Sequence, residues 1–285
     1  KNKIQAKAHT GFVWMHRQGV EHLVQRGVSG IQVDFLIRPS GKADWHEYAG
    51  FPDVGVSLIH MRLSSAELGE AIGVIPYLRL FHIEPGKLSF SGSGGLGLGY
   101  LTNPWDRTDN RKNEMIGSHL NLAVTLQSNI GYAIAKNWQL LAGFAFTHFS
   151  NAGTRKPNLG VNIPSAFLGV RYALGSAWQY TDVHKTTLPK QDKELVLSTA
   201  GFTNQYDVLT AQRFALTSSI EMGVFSATGR NRWHIGADLF YNGALEDFYR
   251  SEQIGYNNEH LFQAGISGGY SRIIGKLAVF LGSGI

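Results

Sequence analysis

The sequence predicts an all-β fold, a transmembrane antiparallel outer-membrane β-barrel of about 12–14 strands. Three observations predict it. Apolar and small polar residues alternate along most of the chain, several alternating segments are long enough to cross a bilayer, and long charged connections are interspersed with tight turns. Because the chain stops within KLAVFLGSGI, which alternates as a strand does, we expect the C-terminus to be incomplete.

The alternation has a period of two, which is that of a β-strand with neighbouring side chains on opposite faces. In segment 88–100 the large apolar residues all have one parity, whereas the residues of the other parity are mostly serine and glycine. Segment 120–134 repeats the pattern without a slip. The large apolar set of the two segments consists of Leu88, Phe90, Leu96, Leu98, Tyr100, Leu120, Leu122, Val124, Leu126, Ile130, Tyr132 and Ile134.

Strand length and polarity separate the two architectures that such alternation allows, a soluble sandwich or barrel and a membrane barrel. Strands of soluble proteins average about 5–6 residues, whereas segment 118–134 can supply the tilted strand of about 9–11 residues that crosses a bilayer. The second face is rich in Ser, Thr, Asn, Gln, Arg and Asp, each of which would cost roughly a few kcal/mol unpaired in a dry core. A membrane barrel with a polar lumen is favoured, and a soluble lipid-binding sandwich is the weaker alternative.

We predict a single barrel domain over residues 1–285, with residues 1–27 as an N-terminal extension and residues 118–174 as the strands and loop of the candidate site. No segment approaches the ~18 consecutive apolar residues of a transmembrane helix. The chain begins KNKIQAKAHTG, without Met or an apolar signal region, so we expect it to be processed or trimmed. The sequence has no Cys, which excludes a disulfide framework and thiolate metal sites.

The net charge of +5 suits an anionic partner, either nucleic acid or an acidic membrane surface. Basic residues are scattered rather than arranged between aromatic residues, so we do not expect nucleic-acid binding. The segment DRTDNRKNE has oxygen-bearing side chains that could bind calcium, but it lacks the glycine turn and the terminal spacing of a calcium loop. We therefore predict no metal site and no cofactor, and outer-membrane lipids as partners.

The motif THFSNAGTRKPNLGVN carries the candidate chemistry. His148 and Ser150 continue the apolar parity of the preceding strand, and Asn162 has the apolar parity of the following one. The loop between them folds the second strand back beside the first. The three side chains are therefore expected to converge on the lipid-facing exterior near the long-loop rim, where a polar cluster is a functional hypothesis by default.

A hydroxyl, an imidazole and a group that orients the imidazole are the set that acyl transfer requires. Asn151 or local backbone N–H groups would receive the oxyanion. Arg155 and Lys156 would lie at headgroup height and attract lipid phosphates, although a solvated rim loop describes them equally well. The structural alternative is that His, Ser and Asn are tolerated at the interface and that the loop is only turn chemistry.

The same motif resembles the active-site segment of PagL-like lipid A deacylases, with H-x-S-N, a P-N-x-G loop and a third residue twelve positions after the serine. The layout from about residue 94 to residue 174 is similar to the longer bacteroidete members, often labelled acyloxyacyl hydrolases. The resemblance implies that Ser150 is the nucleophile, His148 the base and Asn151 a neighbour of the oxyanion. Two features depart from the family. Asn162 stands where its best-known members carry Glu, and this chain has at least about twelve candidate strands, whereas the familiar enzyme has an eight-stranded barrel.

The expected function is that of an outer-membrane serine esterase of a Gram-negative bacterium. It would remove an ester-linked acyl chain from lipid A, within lipopolysaccharide, and use water as the acyl acceptor. The alternative is a noncatalytic barrel, a channel or structural protein, whose rim cluster is incidental. The sequence leaves open which acyl chain is removed and the oligomeric state.

Overall fold

A computed structural model describes residues 2–15, 17–37, 46, 52–174, 193–225, 231–274 and 277–285. These residues form two compact units. The first unit contains eight long strands. They are β1 (Lys3–Gly11), β2 (Val28–Ile37), β3 (Val54–Arg62), β4 (Glu70–Ile83), β5 (Leu88–Leu101), β6 (Leu120–Ala135), β7 (Trp138–Ser150) and β8 (Val161–Ala173).

The eight strands of the first unit close into an antiparallel barrel. Each strand pairs with its sequence neighbours, and β1 pairs with β8, so that Gly11 lies opposite both Val28 and Ser165. The predicted all-β antiparallel barrel is confirmed. The assignment of residues 1–27 to an N-terminal extension needs correction, because residues 3–11 form the strand that closes the barrel.

The two faces of the barrel wall differ as the alternation predicted. The outward side chains are large, apolar and exposed, which is the pattern of a lipid-facing surface. The inward side chains are polar or small and buried. The outward set includes Ile31, Val33, Phe35, Val56, Leu58, Val74, Leu96, Leu98, Leu122, Leu126, Ile130, Leu140, Phe144, Leu168 and Val170.

The middle of the lumen is filled by a network of charged and amide side chains. The Lys7 ammonium lies 2.9 Å from the Asp34 carboxylate and donates to Gln127 at 2.7 Å. Asp34 also accepts hydrogen bonds from Gln5 at 3.0 Å and from Gln32 at 2.6 Å. Because all these groups have partners, the network stabilises a packed interior.

The loop end of the lumen is closed by an apolar core. Residues from the strand ends pack there against residues from the connections β1–β2, β3–β4 and β5–β6. The barrel interior is thus filled at two levels. The core includes Val13, Leu23, Met61, Leu63, Leu68, Leu101, Met115, Ile116, Phe149, Val161 and Ile163.

The second unit is a five-stranded antiparallel sheet. Its strands lie in the order β13 (Leu277–Gly284), β12 (Phe262–Ile274), β11 (Asn231–Asn242), β10 (Arg213–Phe225) and β9 (Lys193–Asn204). A short helix, α1 (Ala244–Ser251), follows β11. One face exposes apolar side chains such as Leu197, Met222 and Ile235, whereas the other carries the ion pair between Arg232 and Glu194 at 2.8 Å.

The division into two units differs from the predicted single barrel over residues 1–285. The barrel closes with β1 to β8, and β9 to β13 form a separate sheet. Alternation identifies strands and their faces, but it does not record which edge strands pair with each other. No helix among the described residues is long and apolar enough to cross a membrane.

We predict that Asp34→Ala destabilises the barrel by about 3–5 kcal/mol, because it leaves the Lys7 ammonium buried without its partner. The double variant Lys7→Met with Asp34→Leu is expected to recover part of this loss, since it removes both charges. Urea unfolding in detergent micelles, followed by tryptophan fluorescence, measures both effects. Equal unfolding midpoints for Asp34→Ala and the unmodified protein would contradict the assigned role of the ion pair.

Candidate active site

The predicted His, Ser and Asn lie at the loop end of two adjacent strands. His148 and Ser150 are at the end of β7, Asn162 is at the start of β8, and the register places His148 directly opposite Asn162. Their inward neighbours Thr147 and Phe149 are fully buried. Because side chains alternate along a strand, all three polar side chains belong to the outward face.

The His148 and Asn162 side chains are hydrogen-bonded. The His148 Nδ1 lies 2.7 Å from the Asn162 Oδ1. An amide oxygen only accepts hydrogen bonds, so Nδ1 carries the proton and donates it. This hydrogen bond leaves Nε2 as the ring nitrogen that can accept a proton, as a general base requires.

The Ser150 hydroxyl is held by the loop that follows it. The side-chain amide of Asn158 contacts the hydroxyl with both of its polar atoms. Nδ2 donates to the hydroxyl oxygen at 3.1 Å, and Oδ1 accepts from the hydroxyl at 3.3 Å. The backbone N–H of Ala152 also donates to the hydroxyl, at 3.2 Å. Ser150 and His148 do not share a hydrogen bond in this structure. Sites of this kind are often looser without substrate than in the reacting complex.

Asn151 organises the turn after β7. Its side-chain amide donates to Ser118 at 2.9 Å and to the carbonyl of Arg155 at 2.7 Å. Its side-chain oxygen accepts from the backbone N–H of Gly153 at 3.0 Å. The side chain is buried and its amide donates to Ser118 and to the loop, so Asn151 lies beside the serine without a hydrogen bond to the serine hydroxyl.

The loop that carries Asn158 is braced by the connection between β5 and β6. The backbone N–H groups of Leu159 and Gly160 donate to the carbonyl of Met115 at 2.9 and 3.1 Å. Ile116 forms an isolated β-bridge with Asn158. Met115 and Ile116 are fully buried in the apolar core. The position of Asn158 is therefore coupled to the core that closes the barrel.

Gly160 makes room for the imidazole. A Cβ atom at this position would lie 2.6 Å from the His148 Cε1 and 3.4 Å from its Nε2. The residue also has a φ of +78°, which residues with a side chain rarely adopt. A glycine is thus required both by the backbone of the loop and by the ring beside it.

Arg155 is exposed and lines a rim cavity of about 560 Å³ together with His119, Trp105, Asp106 and Asp109. Hydrogen bonds from the Thr108 hydroxyl and from nearby backbone N–H groups lower the pKa of the Asp106 carboxyl to about 2, and the Arg155 charge adds to this lowering. Asp106 is therefore ionised at neutral pH. Lys156 is half-buried in the same loop.

Sequence reasoning missed three residues of the site. Asn158 and Gly160 lie in the PNLG segment, whose composition is also that of an ordinary turn. Trp14 follows β1, and its backbone N–H donates to the carbonyl of Asn162 at 2.8 Å. The Trp14 ring packs edge-on against Phe146 at 6.4 Å. No spacing in the sequence connects Trp14 with residues so distant along the chain.

Comparison with known proteins identifies the family of the barrel. The sequence model of the lipid A 3-O-deacylase (PagL) family matches residues 30–171. None of the curated proteins compared with this chain matches it.

The solved structures that match this chain include the following three. Neisserial surface protein A is 13% identical, with a TM-score of 0.43, and the match covers 60% of this chain and 96% of that one. The outer membrane enzyme PagL is 14% identical, with a TM-score of 0.36 and coverage of 60% and 99%. The N-terminal β-barrel domain of Pseudomonas aeruginosa OprF is 14% identical, with a TM-score of 0.34 and coverage of 60% and 96%.

The family match extends from within β2 to within β8 and includes every residue of the predicted site. The barrel of this chain belongs to the lipid A 3-O-deacylase (PagL) family and is an outer-membrane protein of a Gram-negative bacterium.

Proposed function

We propose that this protein is a serine esterase that removes an ester-linked acyl chain from lipid A at the outer wall of its barrel. The observation that carries the proposal is the 2.7 Å hydrogen bond between the His148 Nδ1 and the Asn162 Oδ1, two residues from an outward-facing serine. Family membership supports the substrate class. The substrate stays in the outer leaflet, because the site faces lipid rather than the lumen.

His148 acts as the general base through Nε2. Residues i and i+2 of a strand have Cα atoms about 6.6 Å apart on the same face, which allows the Ser150 hydroxyl to reach the ring. The hydroxyl turns from Asn158 towards Nε2 when the ester is bound. As the serine oxygen attacks the ester carbonyl, its proton passes to Nε2, and Asn162 keeps the ring oriented.

Asn158 and the backbone N–H of Ala152 supply the oxyanion donors. Both already point at the Ser150 oxygen, at 3.1 and 3.2 Å. The carbonyl oxygen of a bound ester lies next to the attacking oxygen, so small adjustments bring the same donors onto the developing negative charge. Asn151 contributes indirectly, because its side chain holds the turn that aims Ala152 at the serine.

The two half-reactions balance with water as the only co-reactant. In the first, the tetrahedral intermediate collapses and the bond between the ester carbonyl carbon and the alcohol oxygen of lipid A breaks. His148 returns the proton to that alcohol oxygen. In the second, His148 takes a proton from water, the resulting hydroxide attacks the acyl-serine, and the serine oxygen leaves with the proton. The products are a lipid A hydroxyl and a free fatty acid.

Arg155 and Lys156 are proposed to contact the phosphates of the lipid headgroup. Arg155 is exposed at the rim, five residues after the nucleophile, where a guanidinium can bind a phosphate in a bidentate manner. Its neighbours Asp106 and Asp109 limit the positive potential of this cavity. Arg155 therefore orients the headgroup more than it supplies affinity.

Ser150→Ala is expected to lower fatty acid release from lipid A by ~10³-fold or more, because the nucleophile is removed. Mass spectrometry of lipid A incubated with the purified protein measures the loss of the acyl chain. Heat-modifiable migration of the variant on SDS gels controls for barrel folding. An unchanged lipid profile would support the noncatalytic barrel instead.

Substitutions of Asn162 test whether this residue orients the imidazole of His148. We expect Asn162→Leu to lower kcat about 10²-fold, because the Nδ1–H loses its acceptor. Asn162→Glu is expected to raise kcat roughly 10-fold or more, since a carboxylate stabilises the imidazolium that forms during attack. Equal kcat values for both variants and the unmodified protein would remove Asn162 from the mechanism.

Gly160→Ala is expected to reduce kcat by about 10²-fold, because the new methyl group displaces the imidazole. Gly86→Ala is the matched control: Gly86 has a φ of +66° but open space around its Cβ direction. Both variants bear the backbone cost of about 1 kcal/mol in unfolding experiments. If the two variants retain the same activity, Gly160 serves only the loop conformation.

A further inference from the structure

The second unit repeats the strand order and the connection lengths of part of the barrel. Its lateral order β13-β12-β11-β10-β9 is that of β7-β6-β5-β4-β3, with antiparallel neighbours in both units. The connections from β3 to β7 span residues 63–69, 84–87, 102–119 and 136–137, which gives lengths of 7, 4, 18 and 2 residues. Those from β9 to β13 span residues 205–212, 226–230, 243–261 and 275–276, which gives lengths of 8, 5, 19 and 2 residues. The five strands therefore correspond one to one with β3–β7.

The two faces of the five-stranded sheet differ as the two faces of the barrel wall do. On one face Glu194 pairs with Arg232 at 2.8 Å, and the His234 Nε2 lies 2.7 Å from the Ser271 hydroxyl. The opposite face carries large apolar side chains that are exposed. Strand register places them side by side, since Met222 lies opposite both Leu195 and Ile235. This apolar face includes Leu195, Leu197, Phe214, Ile220, Met222, Trp233, Ile235, Leu239, Phe262, Ile266 and Leu281.

Aromatic pairs border the apolar face at both ends of the strands. Trp233 and Tyr270 lie at one end with ring centroids 5.0 Å apart, and Tyr241 and Phe262 lie at the other end at 5.2 Å. At about 3.3 Å per residue, Trp233 and Tyr241 are ~26 Å apart along β11. With the tilt of about 40° of barrel strands, this is ~20 Å across the membrane, comparable to the ~25 Å apolar band between the aromatic girdles of outer-membrane barrels.

We propose that the apolar face of the second unit contacts the hydrocarbon chains of the outer membrane, and that β9–β13 are part of a second membrane-spanning barrel with the strand order of the first. Hydrocarbon is the occupant because the apolar face extends over five strands and ends at aromatic pairs on both sides. Trp and Tyr rings of this kind are enriched where a membrane meets water. The face with Glu194 and Arg232 then lines a polar interior.

The edges of the sheet have a requirement of their own in hydrocarbon. Among the described residues β9 pairs only with β10, and β13 pairs only with β12. Every backbone N–H and C=O within the hydrocarbon region needs a partner in the protein, so both edges must pair with further strands. The corresponding edges of β3 and β7 pair with β2 and β8. The second barrel would therefore contain strands in the positions of β2 and β8.

Single cysteines test the environment of each face, because the chain contains no Cys. Ile266→Cys and Ser267→Cys are neighbours on opposite faces of β12, and Leu239→Cys with Asp238→Cys repeats the comparison on β11. Leu122→Cys, on the outward face of the first barrel, is the reference for a lipid-facing position. Each variant of the full chain is labelled with a nitroxide and reconstituted in phospholipid vesicles. Power-saturation EPR then measures the accessibility of the label to oxygen and to a water-soluble nickel chelate.

Oxygen concentrates in hydrocarbon and the chelate stays in water. The ratio of oxygen to chelate accessibility at Ile266→Cys and Leu239→Cys is therefore expected to lie within ~2-fold of that at Leu122→Cys. At Ser267→Cys and Asp238→Cys we expect the ratio to be lower by ~3-fold or more, since these labels lie on the polar face.

Two outcomes would overturn the proposal. If the chelate reaches Ile266→Cys and Leu239→Cys more readily than oxygen does, the apolar face lies in water. If neither reagent reaches them, protein covers this face, as in an interface with a second copy of the chain. The oxygen-rich signal of Leu122→Cys shows in the same vesicles that the first barrel is inserted. The result does not depend on the proposed esterase function, which Ser150→Ala tests separately.

Discussion

The pairing of β1 with β8 is the interaction on which the rest of the barrel depends. In hydrocarbon every backbone N–H and C=O must find a partner within the protein, and only a closed sheet satisfies them all. Nine consecutive register pairs, from Lys3 with Ala173 to Gly11 with Ser165, provide that closure. Closure also divides the side chains strictly between lumen and lipid. The outward polar residues at the end of β7 and the start of β8 are therefore exceptions to the rule that outward side chains are apolar. They lie at the rim, where water and headgroups lower the cost of exposing polar groups.

Under the proposed function, the filled lumen determines where a lipid can be processed. The network around Asp34 occupies the middle of the barrel, and the apolar core with Phe149 and Ile163 closes the loop end. An acyl chain cannot enter the interior without displacing paired buried charges, which would cost several kcal/mol. The same core supports the site from within, because Met115 accepts hydrogen bonds from the loop that carries Asn158 and Gly160. Packing inside the barrel thus positions the loop that carries Asn158 on its outside, which is the preorganisation that the proposed catalysis requires.

The sequence predicted the faces of the strands and the pairing of His148 with Asn162, because both follow from the period of two. It did not predict closure after eight strands, since alternation carries no information about which edges meet. The strand β1 was missed for a local reason: its outward residues Ala6 and Ala8 are small, so KIQAKAHTG lacks the large apolar set that marks the other strands. Asn158 was also beyond sequence reasoning, because an asparagine in a Pro-Asn turn has a sufficient explanation in backbone geometry alone.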